Sequence, residues 1–323
     1  MKATQAATNP FPYTDTNKRY YTYDYYMKKT FGGKCAKIPL DAGFTCPNID
    51  GRCGTGGCIY CSSGSAADRD SVRLPLREQY RLHREQLAAK WPVDRCIPYF
   101  QAHTNTYAPL ATLSALWEEA ASYEGAVALS IATRADCLEE EKLAYLADLS
   151  SRIPVFLELG LQSASDETAR RINRGHDFAT FTDACARIRR IAPEVKICVH
   201  LINGLPGESH RDMLETARQV AALHPDQVKI HLMHVLRDTP LGRMYGEGKY
   251  TPMTREDYVR TVADQLELLP PDTVIGRLTG DGLSEELLAP DWSRKKTAVL
   301  NEIDKELYRR GTCQGALFGK GGT

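Results

Sequence analysis

No stretch of this chain is apolar for long enough to cross a bilayer, which takes about 18 residues. Residues 1–10 carry no apolar segment of the kind that directs export, so the chain reads as cytoplasmic, with no membrane partner. Charge of neither sign dominates: 41 Lys and Arg face 41 Asp and Glu. No global field therefore draws the chain to nucleic acid, and only a local basic patch could. Internal repeats, low-complexity tracts and glycine–serine linkers are all missing. With 323 residues, 42% hydrophobic and 25% charged, the composition is that of an ordinary soluble protein. The length suits two domains or one α/β barrel, and buries a core without staples.

What is present is alternation. After a tyrosine- and lysine-rich segment (1–33), short apolar runs alternate with amphipathic stretches. Strands are expected near 37–44, 97–101, 125–131, 154–162, 195–202 and 227–235. Helices are expected over 110–123, 139–149, several turns up to 191, and 211–223. Near-continuous apolar strands between helices imply a parallel sheet covered on both faces. About six β/α units are too few for a closed eight-stranded barrel, so the expected fold is α/β, a partial (β/α)6 TIM-like barrel. Its active residues belong at the C-terminal ends of the strands. The core domain is drawn at 34–250, with an α-rich C-terminal extension at 251–323.

Ten cysteines in a chain without export signals point to metal or redox chemistry rather than disulfides. Seven of them (Cys35, Cys53, Cys96, Cys137, Cys185, Cys198 and Cys313) lack ligand spacing and read as small buried hydrophobes. Cys46, Cys58 and Cys61 form C-x11-C-x2-C in a loop rich in glycine, where the backbone can wrap a cluster closely. Two other readings stand beside this one. Zinc wants four ligands, and Cys53 could supply the fourth. A redox pair at Cys58 and Cys61 would open a helix without a third upstream cysteine. Three thiolates on a four-iron cluster leave one iron without a protein ligand, open to a small chelating molecule.

Longer runs narrow the reading: Gly43-Phe-Thr-Cys-Pro-Asn48, Tyr99-Phe-Gln-Ala-His-Thr-Asn-Thr-Tyr-Ala108, Ser130-Ile-Ala-Thr-Arg134 and Glu158-Leu-Gly-Leu-Gln-Ser163. Arg171-Ile-Asn-Arg-Gly-His-Asp177 and His200-Leu-Ile-Asn-Gly-Leu-Pro-Gly-Glu208 continue them. Together with the cysteine loop they resemble the radical S-adenosylmethionine (SAM) superfamily, in its YhcC/YtqA-type branch related to the elongator type. The resemblance spans about Phe31 to Gly319.

It implies a [4Fe-4S] cluster on Cys46, Cys58 and Cys61, with SAM chelating the open iron. One electron, from a donor such as flavodoxin or ferredoxin, then cleaves SAM to methionine and a 5′-deoxyadenosyl radical, which takes a hydrogen from substrate. It also implies SAM contacts: Tyr60 near the adenine, and Gln101, Thr104 and Asn105 near the amino group. The glycine-glycine-glutamate triplet usual at that place is absent. Glu158 and Gln162 fall where ribose and carboxylate contacts occur, on one face if the strand is regular. Asn203 and Gly204 fall beside the adenine, and Arg134 could grip a carboxylate as a planar fork. Each has a plainer reading as a packed or turn-forming residue. Arg171, Arg174 and His176 read as a solvated helix end or a phosphate contact. No catalytic residue is assigned to guide the substrate radical, with Tyr99, Tyr107 and Cys313 as candidates.

The branch implies transfer RNA as substrate, at the C5 side chain of the wobble uridine. Lys18 to Lys29, with its tyrosines, could supply phosphate and stacking contacts, or could pack onto the barrel. A small metabolite or protein side chain is the alternative substrate, and a non-catalytic iron–sulfur sensor the alternative class.

Overall fold

The computed structural model describes residues 9–62, 74–280 and 285–320. Helix α1 (Tyr23–Phe31), capped by the Thr22 side chain, leads into strand β1 (Ala36–Leu40). Then follow α2 (Leu76–Ala88), β2 (Cys96–Phe100), α3 (Leu110–Ala121), β3 (Leu129–Thr133), α4 (Glu140–Ser150) and β4 (Val155–Gln162). Two helices, α5 (Asp166–Arg171) and α6 (Phe178–Ile191), precede β5 (Lys196–Asn203), and α7 (His210–Ala222) precedes β6 (Gln227–Leu232). The C-terminal part holds β7 (Val235–Leu236), α8 (Pro240–Gly246), α9 (Arg255–Leu268), β8 (Val274–Arg277), β9 (Leu287–Ala289) and α10 (Lys296–Arg310).

Seven strands form one sheet in the order β1-β2-β3-β4-β5-β6-β8, every neighbouring pair parallel. Every second residue faces the helices. Ile38, Leu40, Phe100, Leu129, Ile131, Leu157, Leu159, Val199, Leu201, Val228 and Ile230 are buried there. They share one core with Leu113 and Trp117 of α3, Leu143 and Leu146 of α4, Phe181 and Ile188 of α6, and Tyr258 and Val262 of α9. This apolar face is what drives the layering, at about 25 cal/mol per Å² removed from water.

The other face is apolar only near the N-terminal ends of the strands, where Ile97, Ala128 and Phe156 pack with Met27 of α1; beyond them it is polar, which corrects the expectation of strands apolar on both faces throughout. Lys37, Tyr99, Ser130, Glu158, His200 and Lys229 occupy the alternate positions. Lys37 on β1 and Lys229 on β6 both reach Glu158 on β4. Side chains two and three strands apart meet only if the sheet curls around them, so the sheet is an open half-barrel with a polar interior.

The seventh strand comes from beyond residue 250, so the sheet and its core continue into the C-terminal stretch, as far as Leu307. Four residues behind two prolines are too few to show a strand's periodicity. At the free edge of β8, Thr22 forms a parallel bridge to Ile275, and the Ile275 amide donates to the Tyr21 carbonyl at 2.7 Å. The N-terminal segment thus covers the edge that β8 would otherwise expose. Tyr20 is buried there, and Tyr26 meets Phe156 edge to face at 6.4 Å, near the start of β4. Lys18 pairs with Asp304, and Lys28 with Asp24. Packing onto the barrel, at the end away from the cysteine loop, is the role this segment takes.

Candidate active site

Residues 41–62 leave the C-terminal end of β1 and fold back on themselves. Within this loop the Ile49 amide donates to the Cys46 carbonyl (2.8 Å), Gly57 to Asn48 (2.8 Å) and Cys61 to Cys58 (3.0 Å). Cys58 is buried, Cys46 half-buried and Cys61 exposed. The hydroxyl of Thr104, past the end of β2, donates to the Cys46 sulfur at 3.1 Å. The Asn48 amide donates to Cys58 at 3.3 Å, and an Arg174 N–H does so at 3.8 Å. The thiols of Cys58 and Cys61 are hydrogen-bonded to each other. That bond, with the charge of Arg174 and the amide of Asn48, holds Cys58 well below the usual thiol range despite its burial.

A second loop, between α5 and α6, clamps the first. Asn173 takes a left-handed conformation (φ 55°), and its amide donates to the carbonyls of Thr55 (2.9 Å) and Gly57 (2.7 Å). Its own carbonyl accepts from Asn48 (2.7 Å), and the Ile172 carbonyl accepts from Ile59 (3.1 Å). Arg134, at the end of β3, donates to the Arg174 carbonyl at 2.6 Å. Gly175 is required by close approach as well as by its φ of 84°: a Cβ there would lie 2.8 Å from the Cys53 sulfur. Arg174 and His176 are therefore built into the site, correcting the reading of a solvated helix end. Burial first, then Arg174, lowers the His176 pKa to about 4, so its ring is neutral at pH 7.

The residues singled out for SAM divide into two groups. Tyr60 packs into a small apolar cluster with Ile202 and Leu205, which joins the cysteine loop to the end of β5. Gln162 and Arg174 meet over Gly160, where an added Cβ would lie 2.8 Å and 2.9 Å from their side-chain nitrogens. Glu158, Gly160 and Gln162 do not line up as on a regular strand, because a register shift falls between Gly160 and Gln162 and Gln162 has φ 75°. Gln101 is half-buried, its backbone N–H donating to the Leu40 carbonyl.

The others engage partners inside the fold, although the Oδ1 of Asn105 is buried without one. Asn105 is fully buried and donates to the carbonyls of Phe100, Ala102 and Ala132. It brackets the ends of β2 and β3. Arg134 does grip a carboxylate as a fork, but that of Asp136, at 2.9 and 2.7 Å. Asn203 exchanges two hydrogen bonds with Gln265 of α9 (2.8 and 2.9 Å). Gly204 has φ 85°, its carbonyl accepts from Tyr250, and Met253 crowds the place of a Cβ at 3.0 Å.

Beneath this layer lies the polar interior. Ser130 donates to one oxygen of Glu158 at 2.6 Å and His200 to the other at 2.8 Å, with Lys37 and Lys229 on the same carboxylate. Burial opposes ionisation, yet the two ammonium charges and the histidine hold Glu158 well below the usual carboxylate range. Burial lowers Lys37 to about 8 against the pull of Glu158, and lowers His200 to about 4. Glu158, Cys198 and His200 bring ligand atoms within 4.8 Å of one another, but two ammonium groups already occupy that carboxylate and repel a cation.

Lys37 and Lys229 escaped sequence reasoning, although a lone lysine inside an apolar run was a usable signal. The roles of Asn48, Asn173 and Arg174 in joining the two loops were not read from the sequence, because they depend on contacts across the fold.

The donor set suits an iron–sulfur cluster: three thiols brought together, with three separate donors aimed at their sulfurs. Among the described residues no helix is long and apolar enough to cross a membrane. The pattern of the radical SAM superfamily matches residues 48–220, and that of its C-terminal domain matches residues 225–309. The Bacillus subtilis protein YtqA is 42% identical over 96% of both chains. A tRNA uridine(34) acetyltransferase of Dehalococcoides mccartyi is 29% identical over 48% of this chain, which spans 33% of that protein. Among solved structures, archaeal Elp3 from Methanocaldococcus infernus superposes with a TM-score of 0.62 at 19% identity. That match covers 87% of this chain and 64% of that one. Cysteine loop, half-barrel and sequence agree: the chain belongs to the radical SAM superfamily, whose members work with a [4Fe-4S] cluster and SAM, and within it to the YtqA type.

Proposed function

We propose that this enzyme generates the 5′-deoxyadenosyl radical at a cluster on Cys46, Cys58 and Cys61, and turns it on the C5 side chain of the wobble uridine of tRNA. The observation that carries the first half is the set of three thiols in one loop, met by a donor from that loop (Asn48) and by donors from two other segments (Thr104 and Arg174). When bound, the cluster supplies one electron to SAM, received from a reductant of the flavodoxin or ferredoxin kind. The chain's own part is to hold and shield. Thr104, Asn48 and Arg174 orient the sulfurs. Tyr60, Ile202 and Leu205 offer an apolar wall of the kind an adenine needs. Gln101 and Gln162 present amide groups from the ends of β2 and β4.

The tRNA half is carried by the likeness to the uridine(34) acetyltransferase, a protein whose name states where it acts. Arg52 supports it: exposed within the cysteine loop, it lies over the Tyr107 ring at 5.4 Å, where a cation can meet a phosphate. The test is anaerobic reconstitution with SAM, a reductant and bulk tRNA from a strain lacking the protein, followed by mass spectrometry of the nucleosides. A changed wobble uridine with formation of 5′-deoxyadenosine is expected. Turnover of a small metabolite in the absence of RNA would select the alternative substrate class. Failure to form 5′-deoxyadenosine at all would overturn the enzymatic reading.

A further inference from the structure

Arg174 is 7% exposed, and a buried guanidinium needs a counter-charge. Among the described residues its hydrogen bonds go to the Gly160 carbonyl and the Cys58 sulfur, and its Nε has no acceptor. Asp136 is an acid that feels its charge, but that carboxylate is gripped by Arg134. The group its guanidinium does face is a thiol, since Nη1 donates to the Cys58 sulfur at 3.8 Å. Arg134 and the Asn173 clamp fix its backbone beside the loop, and the Gly160 carbonyl and Cys58 sulfur hold its guanidinium.

We propose that Arg174 is the counter-charge of the cluster, a positioning residue that raises its reduction potential. The inference rests on the cluster reading above. Three thiolates outweigh the charge of an iron–sulfur core, so the assembled site is anionic and becomes more so on gaining an electron. A fixed cation at a ligand sulfur favours the more negative state, and hydrogen bonds to sulfur and local charge are established levers on such potentials. Asn48 donates to the same sulfur, but as a neutral amide it contributes less. Arg174 thereby makes the first electron easier to place.

The experiment is a redox titration of the reconstituted protein without SAM, poised with dithionite and mediators and read by electron paramagnetic resonance. Wild type, Arg174→Gln and Arg174→Lys are compared, with iron content and circular dichroism recorded for each. Gln keeps a donor for the Gly160 carbonyl and drops the charge. Its midpoint is expected to move to more negative potential, with the ratio of reduced to oxidised cluster about tenfold lower at a fixed potential. For a one-electron couple that corresponds to about 59 mV. Lys is expected to stay close to wild type. Iron uptake by the Lys variant and not by the Gln variant would also support the assignment. A Gln variant with full iron and an unmoved midpoint would overturn it. So would failure of both folded variants to take up iron, since shape rather than charge would then matter. Wild-type protein that holds no iron would instead sink the cluster reading itself.

Discussion

The ammonium of Lys229, on β6, closes on the carboxylate of Glu158, two strands away on β4. Lys37 closes on the other oxygen from β1, so one buried anion ties the two sides of the half-barrel together. Glu158→Gln keeps the shape and strands two ammonium groups. Removing one partner of a buried ionic group costs about 3–5 kcal/mol. The urea midpoint should fall accordingly, and adding Lys229→Met should recover part of the loss. A Gln variant within about 1 kcal/mol of wild type, a loss typical of one ordinary hydrogen bond, would mean that the lysines do not depend on Glu158.

Three cysteines should be indispensable for iron and one should not. Cys46→Ala, Cys58→Ala and Cys61→Ala are each expected to abolish uptake of a four-iron complement during anaerobic reconstitution. Cys53→Ala should retain it, because Cys53 is exposed and its sulfur meets the Arg134 guanidinium at 3.6 Å. Inductively coupled plasma analysis of iron per chain decides this. Loss of iron in the Cys53 variant, or four-sulfur zinc in wild type, would reinstate Cys53 as a ligand.

The parallel sheet, the position of the cysteine loop after β1 and the strand-end placement of the site were all legible in the sequence. They follow from local periodicity and from spacing within one loop. The seventh strand was not, since Val274–Arg277 is too short to carry a period and is made a strand by its neighbour β6. Nor were the internal engagements of Asn105, Arg134 and Asn203. A buried amide bonded to carbonyls and an amide aimed at a ligand are the same residue type in the same motif, and only the fold distinguishes them. Arg174 shows the reverse. Its sequence neighbours suggest a solvated turn, while contacts from Cys58, Gly160 and Arg134 across the chain bury it.

Asn173 offers a way to separate backbone from side chain. Its left-handed φ of 55° suits Asn and Gly better than Ala, by about 1–2 kcal/mol. The two carbonyls it satisfies add about 1 kcal/mol each. Asn173→Ala should lose both contributions and Asn173→Gly only the second. In both variants amide exchange of residues 55–57 should quicken and the cluster should leak iron faster under chelator. Exchange rates in that loop unchanged by Ala would show that the clamp does not hold it.

Glu208 should give the protein a pH-dependent weakness. Burial pushes its carboxyl up to about 7, against a hydrogen bond from Ser163, while Arg171 and Asp212 act on it in opposite directions. The folded chain therefore keeps a proton that the unfolded chain has lost above 4.5. Between those two values the unfolded state binds fewer protons, so stability falls as pH rises, and above about 7 the full penalty applies. Glu208→Gln removes the titration. Its thermal midpoint should match wild type near pH 4.5 and exceed it near pH 7.5, with most of the separation arising below about pH 7. Parallel curves for the two proteins across that window would mean that Glu208 is ionised in the fold at neutral pH, held by Arg171 rather than disfavoured by burial.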